Sequence, residues 1–376
     1  MDNLRVLFVS DKTNIVGGGE ISLLHLIGGL QLGGGVEPIL AVPSSGELST
    51  RAEEQDIPTV ILPQPRVKAR PWSLPRLWRQ GRRLIDEVRP DIIHVNSARS
   101  MLVAGIAGHR RGIPVVWHVR VEGQDTFDRW LAARCTLIIT PTRVVASRYP
   151  TADVRVIPNP VDIPVAGSAG AVIQQLREQY HADDGSLLLT VALLSADKGY
   201  IRLLEALSLL DQAISWQLLI AGREAPGADG FREKLEGLIR EKGLQERVRL
   251  LGFREDVPVL MMASDLLIHV PHTEGFGRVY IEAMAVGLPA VISPAGGLRE
   301  LHEETGYGWI ATDQSAEAIA RAIEAALGDP RQLEMFRTQG PLIARERFSI
   351  EQHAARVRDV YRDVLGMNDR KAGPGG

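Results

Sequence analysis

Leu266-Leu267-Ile268-His269-Val270 runs straight into Pro271-His272-Thr273-Glu274-Gly275-Phe276-Gly277-Arg278, and a helical pattern carrying Glu282, Ala283, Met284 and Ala285 begins near Val279. Buried strand, glycine-bearing turn and helix, in that order, are the repeating unit of a parallel sheet with crossover helices. Working outward, the same kind of short aliphatic run recurs at 5–9, 38–42, 60–62, 92–95, 115–119 and 137–140. A second series occupies 187–193, 217–221, 248–251, 266–270 and 290–293. Each series reads as a doubly wound set, which predicts an α/β protein of two Rossmann-like domains. The length of 376 residues agrees, because single cores stop growing at about 250–300 residues.

Pro164, Gly167, Ser168 and Gly170 punctuate a stretch with neither helical nor strand period. The expected domains are therefore 1–163 and 164–349. The last helical pattern, 350–366, has no strand after it and is free to pack back on the first domain. A tail from 367 to 376, ending Lys371-Ala372-Gly373-Pro374-Gly375-Gly376, is expected to be disordered.

Lys plus Arg number 43 against 46 Asp plus Glu, a formal net charge of -3, which argues against a nucleic-acid binder. Cys135 is the sole cysteine, so no intrachain disulfide forms, and its aliphatic surroundings suit a buried apolar residue rather than a reactive thiol. No apolar run reaches the roughly 18 residues that span a bilayer. The chain enters its first strand at once, without the apolar core of a signal peptide, so a cytoplasmic protein is expected.

In open parallel sheets ligands bind beyond the carboxyl ends of the strands, and two such sheets facing each other leave an interdomain cleft. Residues just after strands are therefore the informative ones. Gly275 and Gly277 let backbone N–H groups approach a ligand, and the helix start behind them favours a phosphate. Glu282, about one turn into that helix, suits a ribose diol; Glu274 and Glu282 equally suit two surface glutamates near a helix start. Lys198, in the turn Ser195-Ala196-Asp197-Lys198-Gly199 after the strand 187–193, can neutralise a diphosphate leaving group or lie solvated in its turn. Gly17-Gly18-Gly19-Glu20, after the first strand, reads as an anion cradle before a helix or as a flexible loop. No Walker A or complete G-x-G-x-x-G motif occurs.

Taken together, these blocks resemble family-four retaining glycosyltransferases of GT-B architecture, whose paired-glutamate signature Glu-x7-Glu is matched by Glu274 and Glu282. The resemblance runs through most of the chain. It includes Pro90-Asp91-Ile92-Ile93-His94, Ile157-Pro158-Asn159-Pro160, Lys198-Gly199, Leu251-Gly252-Phe253-Arg254 and Gly296-Gly297-Leu298-Arg299-Glu300. It implies a nucleoside-diphosphate sugar, UDP- or GDP-linked, held by the second domain. The base would lie near Phe253 and Arg254, the ribose on Glu282 and the diphosphate on Lys198. The sugar would lie against Glu274 and the backbone of Gly275, Phe276 and Gly277. The first domain would take a carbohydrate, lipid-linked or small-molecule acceptor and close over the donor with Gly18 and Gly19. Retention by front-face attack is implied, with the leaving phosphate as base.

Two departures stand out. The family's arginine five residues before the lysine is Leu193 here, and Arg223 and Arg278 are candidate substitutes. Many members place a histidine after the strand 115–119; by spacing that place falls on Arg120, with His118 two residues earlier on the same strand face, so both are candidates. No Asp-x-Asp occurs, so no metal site and no cofactor are expected. Arg66 to Arg83 holds seven cations, Trp72 and Trp78 and no acid, which suits an anionic membrane surface on the inner face of the membrane. Leu77, Trp78, Leu84, Ile85 and Val88 also recur at helical spacing, which makes the arginines the solvated face of an amphipathic helix. The alternatives to a transferase are a GT-B-fold epimerase or hydrolase of nucleotide sugars, or a non-catalytic sugar-nucleotide-binding subunit.

Overall fold

The computed structural model describes residues 3–64, 74–120, 127–163, 170–180 and 185–371, with only the backbone of Leu74 and of 367–371. The chain forms two compact units, Met1–Pro160 with Ser349–Gly376, and Val161–Phe348.

The first unit holds a sheet of β1 (Leu4–Val9), β2 (Val36–Val42), β3 (Thr59–Ile61), β4 (Ile92–Val95), β5 (Val115–His118), β6 (Leu137–Thr140) and β7 (Val154–Val156). Its order is β3-β2-β1-β4-β5-β6-β7, with every pairing parallel. Apolar runs rather than alternation are what a sheet covered on both faces demands. Val6 and Phe8 of β1 pack with the helix Gly18–Leu32 and the last helix, Ile350–Lys371, whereas Leu7 and Val9 pack with the helix Leu74–Val88 and its neighbours. The last helix thus belongs to the first unit and buries Ala354, Val357, Tyr361 and Val364 there. Gly29 permits the approach: a Cβ on it would stand 2.8 Å from Ile350 Cγ2.

The second unit holds β8 (Ser186–Val191), β9 (Trp216–Ala221), β10 (Val248–Gly252), β11 (Leu266–His269), β12 (Ala290–Ile292) and β13 (Trp309–Ile310), ordered β10-β9-β8-β11-β12-β13. Again every pairing is parallel. In both sheets the chain winds outward in two directions from a central pair, β1 and β4 in one, β8 and β11 in the other. The carboxyl ends of those pairs are the switch points where such sheets hold ligands.

Four details differ from the sequence reading. β7, Val154-Arg155-Val156, is an edge strand interrupted by an arginine, and β13 is an edge strand of only 2 residues, so neither makes an aliphatic run. Residues Met101–Gly105 form a π-helical turn. The helix expected to end at 366 runs on to Lys371. Among the described residues no helix is long and apolar enough to cross a membrane.

Candidate active site

At the switch point of the second sheet two turns are drawn together by glycines. The turn after β8 carries Lys198 and ends on Gly199, at φ +76; a Cβ there would lie 1.9 Å from the carbonyl oxygen of Val270, just past β11. The His272 N–H donates to Asp197 O at 2.8 Å, joining the two turns backbone to backbone. The turn after β11 is held from its other side by Gly297, whose N–H donates to Glu274 O at 2.7 Å. A Cβ on Gly297 would lie 2.5 Å from Gly275 O. Gly277, at φ +93, is the N-cap of the helix Arg278–Ala285.

These contacts bring Lys198 Nζ to 3.3 Å from Glu274 Oε2, where it donates a hydrogen bond. His269 Nε2, at the buried end of β11, lies 3.5 Å from the same oxygen. Burial pushes the Glu274 carboxyl up, but the His269 hydrogen bond and the charges of His269 and Lys198 prevail and hold it down to about 2. Glu274 is therefore an anion near neutral pH and Lys198 its counter-cation. An arriving phosphate or sugar hydroxyl meets a paired donor and acceptor, not two bare charges.

Glu282 stands apart from this pair. Arg278 Nε donates to its Oε1 at 2.7 Å. With Asp162, Val257, Pro258, Met261 and Val286 it lines a hollow of about 120 Å³. Burial pushes its carboxyl above the usual range, and Arg278 opposes that. Phe253 is 61% exposed, and the Arg223 guanidinium sits 5.4 Å from its ring centroid. Arg254 clamps Asp256 with two hydrogen bonds of 2.7 and 2.6 Å, which lower the Asp256 carboxyl. Of the substitute cations considered for Leu193, Arg278 is engaged by Glu282 and Arg223 lies over Phe253.

In the first unit a hollow of about 360 Å³ opens at the carboxyl ends of β1, β4 and β5. Lys12, Gly19, Glu20, Asn96 and Arg120 are among the residues lining it. Arg120 is set by two amide oxygens: Nη1 donates to Asn96 Oδ1 at 2.5 Å and Nε to Asn159 Oδ1 at 3.1 Å. His118 is not at this surface. It is fully buried, 3.3 Å from His94 and stacked on His353. The glycine run is partly engaged from within: the N–H groups of Val16 and Gly17 both donate to Glu20 Oε2, at 3.3 and 3.0 Å. The helix Gly18–Leu32 supplies its own anion, one turn in, where its dipole favours one. His269, Asn96 and Asn159 escaped the sequence reading. His269 carried one signal, an ionisable side chain inside an otherwise aliphatic strand.

This is a fold of two parallel α/β units, each with polar side chains gathered at its switch point. The family profile described as Glycosyl transferases group 1 matches residues 172–342, and Glycosyltransferase Family 4 matches residues 16–164. The chain belongs to these glycosyltransferases of GT-B fold, the first profile taking in most of the second unit and the second most of the first.

Among its relatives is a lipopolysaccharide core biosynthesis mannosyltransferase, LpcC, of Rhizobium leguminosarum. It is 29% identical over 162 residues, which is 43% of this chain and 46% of that protein. Another is the GDP-mannose:cellobiosyl-diphosphopolyprenol alpha-mannosyltransferase of Xanthomonas oryzae, 31% identical over 220 residues, 57% of this chain and 53% of that one. The chain spans about half the length of these curated relatives. Among solved structures, Anabaena HepE in complex with UDP and glucose superposes with a TM-score of 0.82 at 23% identity, over 96% of this chain and all of that one.

Proposed function

We propose that the chain is a retaining glycosyltransferase that moves a sugar from a UDP- or GDP-sugar to a carbohydrate, lipid-linked or small-molecule acceptor. The observation that carries this reading is the Lys198–Glu274 pair at the β8/β11 switch point, held there by backbone contacts that tolerate only glycine. Lys198 exchanges its carboxylate partner for the donor diphosphate and stabilises the charge that grows as the glycosidic bond breaks. Glu274, ionised and freed of part of its ion pair, accepts hydrogen bonds from the sugar. The backbone N–H groups of Gly275, Phe276 and Gly277 lie beside it.

Glu282 takes the ribose diol, while Phe253 and Arg254 lie toward the base. Gly18 and Gly19, on the first unit, close over the donor, and Arg120 faces the reacting sugar. The acceptor hydroxyl attacks from the face the leaving group departs, and the leaving phosphate takes its proton, so configuration is retained. In this reading Lys198 does the work that a metal does elsewhere. His118 acts at most from beneath Arg120, since it is buried.

The named acceptor of the Xanthomonas relative is a sugar on a polyprenol diphosphate. That supports a lipid-linked acceptor here and peripheral contact with a membrane through the basic stretch 66–83. Of that stretch Arg66, Lys68, Arg70 and Trp72 lie outside the described residues. The test is a panel of nucleotide sugars screened by thermal shift, where a ligand at 100 times its dissociation constant stabilises by about 2.7 kcal/mol. Turnover is then measured for Lys198→Ala and Glu282→Ala. Unchanged donor binding and turnover in both variants would overturn the assignment. Product sugars formed from donor alone, with no acceptor, would point to an epimerase or hydrolase instead.

A further inference from the structure

Val270 is the first residue past β11, where the sheet's own hydrogen bonds run out and backbone groups need other partners. Pro271 follows and has no N–H to give, so the turn offers its carbonyls and the N–H of His272. Asp197 O takes that N–H, and Arg202 takes up the carbonyls. Its Nη2 donates to Val270 O at 3.2 Å. Its Nη1 donates twice to Gln314, to the backbone oxygen at 2.9 Å and to Oε1 at 2.8 Å. Nε2 of the same amide donates to His272 O at 2.9 Å. One guanidinium and one amide therefore hold the carbonyls on either side of Pro271, just ahead of Glu274.

Both ends of this brace are fixed. Arg202 lies in the helix Tyr200–Ser208, four residues after Lys198, so it shares an element with the Lys198 turn. Gln314 precedes Ser315, the N-cap of the helix Ala316–Leu327, whose hydroxyl accepts from the Ala318 N–H at 3.2 Å. The two helices share one buried apolar layer, with Leu203, Leu204 and Leu207 from one and Ala318, Ile319 and Ile323 from the other. The acceptors of the guanidinium are all neutral oxygens, and among the described residues no carboxylate forms an ion pair with it. Its charge is nevertheless felt in the turn: burial first, and the Arg202 charge next, lower His272 below the usual histidine range. A partly buried cation spent on carbonyls adds little net stability, because desolvation offsets the bonds gained. What it fixes is position.

We propose that Arg202, with Gln314 as its relay, is the positioning residue of the donor site. It holds the turn of Glu274 against the turn of Lys198, so that Lys198 meets the diphosphate in the orientation its ion pair sets. Arg202 touches neither donor nor acceptor in this account and acts through Lys198. The planar fork of an arginine serves several acceptors at fixed angles, which the single ammonium of a lysine does not reproduce. The inference rests on the transferase reading above and adds to it a residue that lies outside the paired-glutamate block.

The experiment is calorimetric titration of the full chain with UDP and with GDP, which requires neither the sugar nor the acceptor. Lys198→Ala is the reference and should weaken binding of the better nucleotide by about tenfold or more. Arg202→Met should weaken it by about tenfold, and Arg202→Lys nearly as much, since the charge stays but the fork is gone. Gln314→Ala, which keeps Arg202, should cost roughly threefold. In a Lys198→Ala background Arg202→Met should cost less than about twofold, because the group it positions is absent. Should Arg202→Met not fold, Arg202→Lys in the two backgrounds gives the same cycle. Equal losses in both backgrounds, or recovery of binding in Arg202→Lys, would make Arg202 a fold or charge element and overturn the proposal. So would unchanged binding in the Arg202 and Gln314 variants beside an impaired Lys198→Ala, which leaves the transferase reading standing. Binding of neither nucleotide, or a silent Lys198→Ala, overturns that reading and this inference together.

Discussion

Beneath the carboxyl ends of β4 and β5 the first unit buries three histidines. His94 meets Tyr361 Oη at 2.7 Å and His118 at 3.3 Å, and His353 donates from Nδ1 to Pro158 O at 2.7 Å. At the equivalent place the second unit holds Lys198, Glu274 and His269 within 3.5 Å of one carboxylate oxygen. Burial, helped by the Arg120 charge, drives all three histidines of the first unit toward the neutral form, His353 down to about 3. In the second unit the partners outweigh burial and Glu274 keeps its charge. Burial alone discharges a group, whereas burial beside an opposite charge retains it. Only the second arrangement holds charges ready for a charged ligand.

Acid should separate the two units most strongly. His353 stays neutral in the fold down to about pH 3, while its unfolded form takes up a proton below 6.5. Its folded pKa is the lower one, so stability is complete above 6.5 and falls with pH, by about 1.4 kcal/mol per pH unit and roughly 5 kcal/mol in all. His94 and His118 add to the slope in the same direction. The Glu274 contribution is present above 4.5 and fades only toward about 2. Hydrogen exchange followed through acidification should therefore show β4 and β5 opening before β8 and β11, and His353→Gln should flatten the slope. Simultaneous opening of both sheets would break the contrast.

Lys198→Ala comes next, with turnover expected to fall about 10²–10³-fold while the melting temperature barely changes. A comparable loss from Arg120→Gln in the first unit would show that charge is held ready on both sides. The glycine clamp is smaller in effect. Gly297→Ala should cost about 1–3 kcal/mol in denaturant unfolding, because the new methyl meets the Gly275–Phe276 backbone, which cannot swing aside like a side-chain tip. It should also weaken donor binding by displacing Glu274; a silent variant would mean that the turn is not held by this contact. Smallest is Leu193→Arg, expected to raise turnover a few-fold if the second phosphate cation is what the site lacks. No change would assign that role to another cation.

The aliphatic runs and their intervening helical periods determined the α/β architecture and the two doubly wound sheets, because a strand buried on both faces has no other composition to use. They also placed Lys198 and Glu274 just after strands. Sequence alone left β7 and β13 unseen, since Arg155 interrupts the first and the second is only Trp309 and Ile310, so neither is an aliphatic run. Tertiary structure decided which candidates meet. Lys198 and Glu274 are 76 residues apart, and their 3.3 Å contact depends on sheet order and on Gly199 and Gly297 lying against another turn's backbone. It also decided that His118 is buried and that Glu20 takes the N–H groups of Val16 and Gly17. Spacing along a chain specifies which face a side chain takes, but not which distant side chain arrives opposite it, and burial and pairing are what set a charge.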